Sequence, residues 1–423
     1  MTPQHTASRP SRDVRARQAA ISVAVLFLMH GIVMGTWFAR IPSVRGMLSL
    51  DASGIAGVLL VGSLGTLSSM PVSGAIAQWL GLSKALILSA TWYCVCMVGL
   101  CLATIGGYTI LVMALLCVAQ MGSGVWSTCF NAASGPAEQA WGSSIIPRFH
   151  AMWSLGTVIA AFFTSLIVSH DVSFLIHMSV VCAVVLTSTC VATAWVLPVP
   201  RSTTPVTAAG APSAGEAPTP EAPRAAAPQA RQAWKERRTV GIGLLLLAFG
   251  FSEGAASGWI ALGVTDDFGS HTNEALGAMA LTIFTASMMV TRLAGTTLIN
   301  RWGPTYTMRL GTITVCIGLI LFSFSPWLWG ALIGVSLWAL GTALAYPLGM
   351  SAASDDAAWA TVRVAVVATI AYGAALVGPP ILGALATHVG YRHAQIVIAF
   401  LMIPAFFGAG VLTAPGEHQR LKS

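Results

Sequence analysis

Twelve apolar stretches, each long enough to cross a bilayer, leave this 423-residue chain few folds to choose from. A spanning helix needs about 20 largely apolar residues, because hydrocarbon offers no water to backbone N–H and C=O groups. The stretches lie near 19–40, 55–77, 85–104, 109–134, 149–168 and 174–196, then near 240–264, 275–299, 307–325, 328–350, 364–386 and 394–413. The expected fold is an all-α membrane protein with twelve transmembrane helices in two six-helix bundles, 19–197 and 239–413. Composition closes off the soluble alternatives. Charged residues make up 8% of the chain and hydrophobic ones 56%, whereas a soluble domain carries about 25% charge.

Between the bundles, residues 198–238 are rich in Pro, Ala, Ser and Thr and offer almost nothing to bury, so they read as a disordered linker. A basic tail, 1–18, precedes the first bundle and a short tail, 414–423, follows the second. The net charge of +7 sits mostly in these three segments. That distribution implies contact with an anionic leaflet of the lipid bilayer, and no nucleic-acid partner. With both termini in the cytoplasm, the inner side receives Lys84, Arg148, Arg201 through Arg238, Arg301, Arg309 and Arg363, while the outer side receives Arg40, Arg45 and Arg392 with Asp266, Asp267 and Glu274. Short outer loops without a glycosylation sequon suit a bacterial cytoplasmic membrane. The eight cysteines fall inside apolar runs without metal-ligand spacing and read as packing residues. No metal or cofactor is implied.

The two halves echo one another. "MGTWFA" at 34–39 matches "ASGWIA" at 256–261, and "GAIAQWLGLSK" at 74–84 matches "GTTLINRWGPT" at 295–305. One offset, 222 residues, separates Trp37 from Trp259 and Gly81 from Gly303. Duplication explains both, and parallel six-helix repeats around a midplane site are a transporter plan. The loops after the second and eighth spans resemble the Gly-x-x-x-Asp-Arg-x-Gly motif of the major facilitator superfamily. The first copy keeps Gly74, Gly81 and Lys84, with Gln78 and Trp79 for Asp and Arg; the second keeps Arg301 and Gly303, with Asn300 for Asp. "GTWFARIPSVRGMLSL", "RFHAMWSLG", "EGAASGWIAL", "VTRLAGTTLINRWG" and "VGPPILG" are similar to the rhizopine-transport-like (MosC-like) subgroup. Such relatives are expected to carry an Asp where this chain has Ser127. The resemblance implies that spans 1, 4, 7 and 10 line a central cavity and that Gly81, Arg301 and Gly303 belong to gating loops.

Those same spans hold the intramembrane polar groups. Glu253 lies near the middle of the seventh and His30 near the middle of the first, one residue out of register. An intramembrane acid points to function. Burial penalises a carboxylate, so Glu253 is expected to be neutral when occluded and to ionise when the cavity opens to water, as proton coupling requires. On the fourth span Gln120, Gly124, Ser127 and Asn131 share a helical face, as Trp338, Thr342 and Tyr346 do on the tenth. Trp37 and Trp259 hold repeated places. Together these make a lining of hydrogen-bonding groups and aromatic planes, although Gln120 and Asn131 serve equally well to join helices. Arg292, about two turns from the cytoplasmic end of its span, either snorkels to that surface or forms a gating ion pair. Glu138, Arg148 and His150 cluster at the inner ends of spans 4 and 5; solvated loop residues would look the same, and the subgroup resemblance implies an inner gate there. Asp355 and Asp356 read as a solvated loop.

The expected function is secondary active transport of a small polar, sugar-, polyol- or cyclitol-like solute by alternating access, coupled to protons through Glu253 and His30, by a single chain. A drug or metabolite antiporter, a transporter-shaped sensor and a membrane enzyme are the rivals. The enzyme lacks a catalytic cluster at the outer face, and the superfamily resemblance implies a Gly-Pro in the fifth span of an antiporter, where "SLGTVIAAF" has no proline.

Overall fold

The computed structural model describes residues 12–142, 145–197, 232–268, 274–356 and 359–413. The expected tail at 414–423, residues 1–11 of the basic tail and 198–231 of the linker lie outside them. The described elements are helical. In chain order they are α1 (Arg12–Ala39), α2 (Ile41–Met47), α3 (Ala52–Leu80), α4 (Leu82–Ile105), α5 (Thr109–Trp141), α6 (Ile146–Ser169) and α7 (Phe174–Thr193). The second half comprises α8 (Arg237–Phe268), α9 (Glu274–Trp302), α10 (Pro304–Phe324), α11 (Leu328–Thr342), α12 (Ala345–Ala353), α13 (Ala360–Ala394) and α14 (Val397–Gly408), closed by a 3₁₀ turn at Ala409–Leu412. At one end of the bundle, the near end, α1 begins and α14 finishes. The opposite, far end carries the turn between α1 and α2.

Among the described residues, eleven helical segments are long and apolar enough to cross a membrane, one of them α11 and α12 together, Leu328–Ala353. The twelfth expected span is shorter as a helix, Val397–Leu412. The reason is local. The backbone of α13 breaks at Gly390 (φ 81°, ψ 165°), so Tyr391 already starts the final crossing before a turn at Gln395 and Ile396. The outer surface of the bundle is apolar: Val95 is 65% exposed and Phe407 74%. Water would not tolerate such a belt, and lipid requires it. Exposed Trp79, Trp141, Trp195, Trp234 and Trp302 ring the near end, and Tyr108, Trp327 and Trp329 the far end, as amphipathic aromatics do at membrane–water boundaries.

The packing repeats with the sequence. In the first half α1 lies on α6, α3 on α5, and α4 on α5; in the second α8 lies on α13, α9 on α11, and α10 on α11. The halves meet through α6 against α9 and α3 against α13. Small residues set these distances. A methyl group on Gly31 would overlap the Trp153 carbonyl, and one on Gly156 the Leu28 carbonyl, so α1 and α6 cross with their backbones almost touching. Between the halves, Gly383 of α13 sits on Ala56 of α3. Gly81 (φ 79°) and Gly303 (φ 75°) adopt the same left-handed backbone at equivalent turns, where a side chain would be strained. Pro379 and Pro380 stand inside α13, which loses two ladder bonds there.

Ion pairs are arranged unequally. At the far end two of them cross between halves: Arg45 to Asp266 at 2.6 Å, and Arg40 to Glu274 at 3.7 Å, with the Ser43 hydroxyl also donating to Glu274. Among the described residues, those of the near end stay within the second half. Arg363 grips Glu236 through two nitrogens at 2.8 Å, Arg238 meets Asp355 at 2.7 Å, and Arg363 lies 3.5 Å from Asp355 and 3.9 Å from Asp356. The expected solvated loop at Asp355 and Asp356 is therefore an anchored one. Arg392, expected on the outer surface, is also buried. Its guanidinium donates to the Ser323 and Ser325 carbonyls and lies 3.3 Å from Asp267, an ion pair rather than an aligned hydrogen bond.

Candidate functional site

Glu253 stands at the midpoint of α8, where the first half faces the second. Its side chain is 32% exposed and lines a cavity of about 20 Å³, room for one water molecule. Both halves contribute to the walls. Gly35 and Phe38 come from α1, Trp153, Ser154 and Thr157 from α6, Ser257 from α8, and Leu281, Phe284, Thr285 and Met288 from α9. Four hydroxyls and one carboxylate thus face a small space that is otherwise apolar.

The partner of Glu253 is Arg292 on α9, with Nη2 3.4 Å from Oε1. The same guanidinium donates from Nη1 to the Ser154 hydroxyl across the half-to-half boundary at 2.9 Å, and from Nε to the Ala343 carbonyl at 3.3 Å. At 21% exposure the arginine turns inward. Of the two sequence alternatives, snorkelling gives way to the ion pair, because an acid and a carbonyl lie within reach and satisfy the cation without a route to the surface. Tyr346, where α11 passes into α12, lies near both Tyr372 of α13 and Glu253.

His30 does not touch Glu253. Its Nδ1 accepts from the Trp153 indole N–H at 3.0 Å, which leaves Nε2 to donate to Ser123 at 2.9 Å. It is buried against Trp126 and Phe130, one residue behind the cavity wall. Trp338 and Thr342 also sit behind the wall. The Trp338 N–H donates to Ser252 at 2.7 Å, Thr342 is 3.3 Å from the same hydroxyl, and Phe284 and Phe322 enclose the indole. Trp37 and Trp259 are buried in the core, the latter against Tyr391. On α5 the polar face bonds inward on its own helix: Ser127 to the Gly124 carbonyl and Asn131 to the Ser127 carbonyl, while Gln120 turns toward Gly62. None of these residues lines the cavity beside Glu253.

At the near end, the Glu138 carboxylate accepts from the Ile145 and Ile146 N–H groups at 2.7 and 3.0 Å and so caps α6. Arg148 is exposed, His150 packs edge-on to Phe27, and Arg301 is exposed just before Gly303. The sequence reading missed Ser154, Thr157, Ser257 and Thr285. A signal existed for Ser257, one turn after Glu253 on the same face. Ser154 and Thr157 flank Gly156, whose close crossing with α1 fixes their direction, and only the packing reveals that.

Comparison with known proteins points one way. Residues 146–375 match the family model of the Major Facilitator Superfamily. An uncharacterized transporter of Sinorhizobium fredii, y4wD, is 28% identical over 406 residues, spanning 93% of this chain and 96% of that one. The membrane protein MosC of Rhizobium meliloti is 25% identical over 381 residues, covering 89% and 86%. Among solved structures, the nucleoside transporter NupG superposes with a TM-score of 0.71 at 14% identity, over 94% of this chain and 99% of its own. FucP in its outward conformation gives 0.62 at 14% identity, over 93% and 98%. At such identities the superpositions establish the fold.

Proposed function

Because the chain belongs to the Major Facilitator Superfamily, and its relative y4wD is described as a transporter, we propose that it moves a small polar solute of sugar, polyol or cyclitol type by alternating access, driven by protons that load on Glu253. The observation that carries this reading is the ion pair at mid-depth. A titratable acid lies beside a cavity walled by both halves, and its arginine partner also holds the opposite half through Ser154. A proton on Glu253 weakens its hold on Arg292, and Arg292 is a contact the halves must change when they rock. Protonation and motion are then linked by one side chain. The hydroxyls of Ser154, Thr157, Ser257 and Thr285 suit a hydroxylated solute. The basic flanks argue that the near end faces the cytoplasm of a bacterial inner membrane.

Uptake into proteoliposomes under an imposed pH gradient tests this. A labelled panel of sugars, polyols, cyclitols and their acid derivatives should include a solute that accumulates only with the gradient. Glu253→Gln should abolish accumulation, by tenfold or more on the scale of a lost charged hydrogen bond, about 1.5–3 kcal/mol. Arg309→Gln, at the near-end rim, should leave it intact. Gradient-driven accumulation that survives in Glu253→Gln would remove the acid from the mechanism.

A further inference from the structure

The central pair contains two opposite charges, and only one of them can be switched. Arg292 keeps its proton at any physiological pH, whereas the Glu253 carboxyl can gain one. The pair therefore carries a net charge of 0 or +1, never −1. The other ionisable groups nearby cannot reverse that. Tyr346 on α12 and Tyr372 on α13 are neutral phenols, His150 of α6, near Arg292, can add only positive charge, and His30 of α1 has both ring nitrogens engaged. A site that toggles between neutral and positive has a use for an anion and none for a cation.

Resting on the proton-coupled reading above, we propose that the solute is a small monoanion, a hydroxylated carboxylate of sugar-acid type, whose carboxylate takes the two terminal nitrogens of Arg292 from Glu253 and Ser154 as one proton enters Glu253. The contacts suit such an exchange. The Arg292–Glu253 distance of 3.4 Å is long for a charged pair, so that partner is held loosely. Nη1 and Nη2 form the planar fork that a carboxylate fills with two parallel bonds, while the Ala343 carbonyl keeps Nε in place. The solute's hydroxyls then meet Ser154, Thr157, Ser257 and Thr285. A cavity of about 20 Å³ holds no such molecule, so it enters only when the halves part, and its carboxylate replaces the Arg292–Ser154 link that joined them.

Charge balance explains why neither passenger travels alone. Empty, the site is Arg292 cation with Glu253 carboxylate, net zero. Loaded, it is Arg292 cation with the solute anion and a neutral Glu253 acid, again net zero. With a proton alone it is +1, and with the anion alone −1, and an unpaired charge at mid-bilayer depth is costly. Only the empty and fully loaded forms cross easily, and the cycle moves no net charge.

Calorimetric titration of the purified full-length chain with gluconate, repeated in buffers of different ionisation heat, counts the protons taken up. Gluconate should bind with uptake of about one proton, with affinity falling up to about tenfold per unit rise in pH. Glucose, which lacks the carboxylate, should bind at least about tenfold more weakly. Arg292→Lys should weaken gluconate severalfold, Arg292→Gln should abolish its binding, and Glu253→Gln should bind it without proton uptake. Should Arg292→Gln not fold, the wild-type proton count decides alone. Equal binding of glucose and gluconate, gluconate bound without a proton, or no heat with gluconate, glucuronate or galacturonate would each overturn the proposal. In liposomes, gradient-driven uptake of glucose or inositol that requires Glu253, without any gluconate uptake, removes the anion and leaves the transporter reading standing. Gluconate uptake indifferent to the gradient removes both.

Discussion

At the residue scale, chemistry followed from neighbours more than from residue type. His30 attracts attention as an intramembrane histidine, yet Trp153 and Ser123 occupy both its nitrogens, and a proton could reach it only after one of those bonds broke. Its immediate effect is to hold Trp153 in the cavity wall. His30→Ala should cost about 2–4 kcal/mol, from a buried void and a stranded indole N–H, and appear as a lower thermal midpoint of the purified protein. Outside the membrane, Glu236 makes the clearest pH statement. Burial works to raise its carboxyl, but the Thr239 hydroxyl and Arg363 outweigh that and hold it below the usual carboxylate range. A depressed folded value means the contribution is present above the unfolded value and lost as pH falls through the folded one. Glu236→Gln should therefore flatten the acid limb of stability against pH while leaving the neutral plateau slightly lowered, as thermal melts at stepped acidity will report. Glu253 was legible because one acid in an apolar run is conspicuous. Its partner was not, because Arg292 lies 39 residues away and a sequence shows neither which way a long side chain turns nor what waits there.

At the scale of elements, the bilayer made the helices readable: a lipid-facing segment must bond its own backbone, so length and apolarity nearly suffice. The repeated Gly81 and Gly303 were legible for a related reason, since both turns pass through a backbone conformation that favours glycine. The last crossing is the one whose irregularity the sequence did not reveal. Gly390 breaks the helix early, and the residues that complete the span belong to two pieces. Crossing distances were equally hidden, as glycine in an apolar run marks either a weak helix or a close neighbour. Gly31 is the second kind. Gly31→Val would drive a side chain into the Trp153 carbonyl, separate α1 from α6 and carry Ser154 away from Arg292. A loss of about 1–3 kcal/mol in stability, with transport reduced beyond what the remaining folded fraction explains, should be seen by paired melting and uptake assays.

For the whole molecule, the telling asymmetry is that, among the described residues, two ion pairs bridge the halves at the far end while those of the near end stay within the second half. The described form is closed at the far end, and opening it must break Arg45–Asp266 and Arg40–Glu274. Arg45→Gln leaves Asp266 without its 2.6 Å partner. If about 1.4 kcal/mol is lost from the closed form, the far-end-open population rises tenfold, which distances between spin labels on α2 and α9 would register. An unchanged distance distribution would show that Arg40–Glu274 and apolar contacts such as Gly383 on Ala56 suffice to hold that end. The paired prolines of α13 carry a quieter consequence. Without amides at Pro379 and Pro380, the carbonyls of Ala375 and Leu376 have no helical donor four residues on. Isotope labels at those two positions should vibrate at a higher frequency than their neighbours and shift when the segment flexes, giving an infrared strain gauge at the seam between the halves.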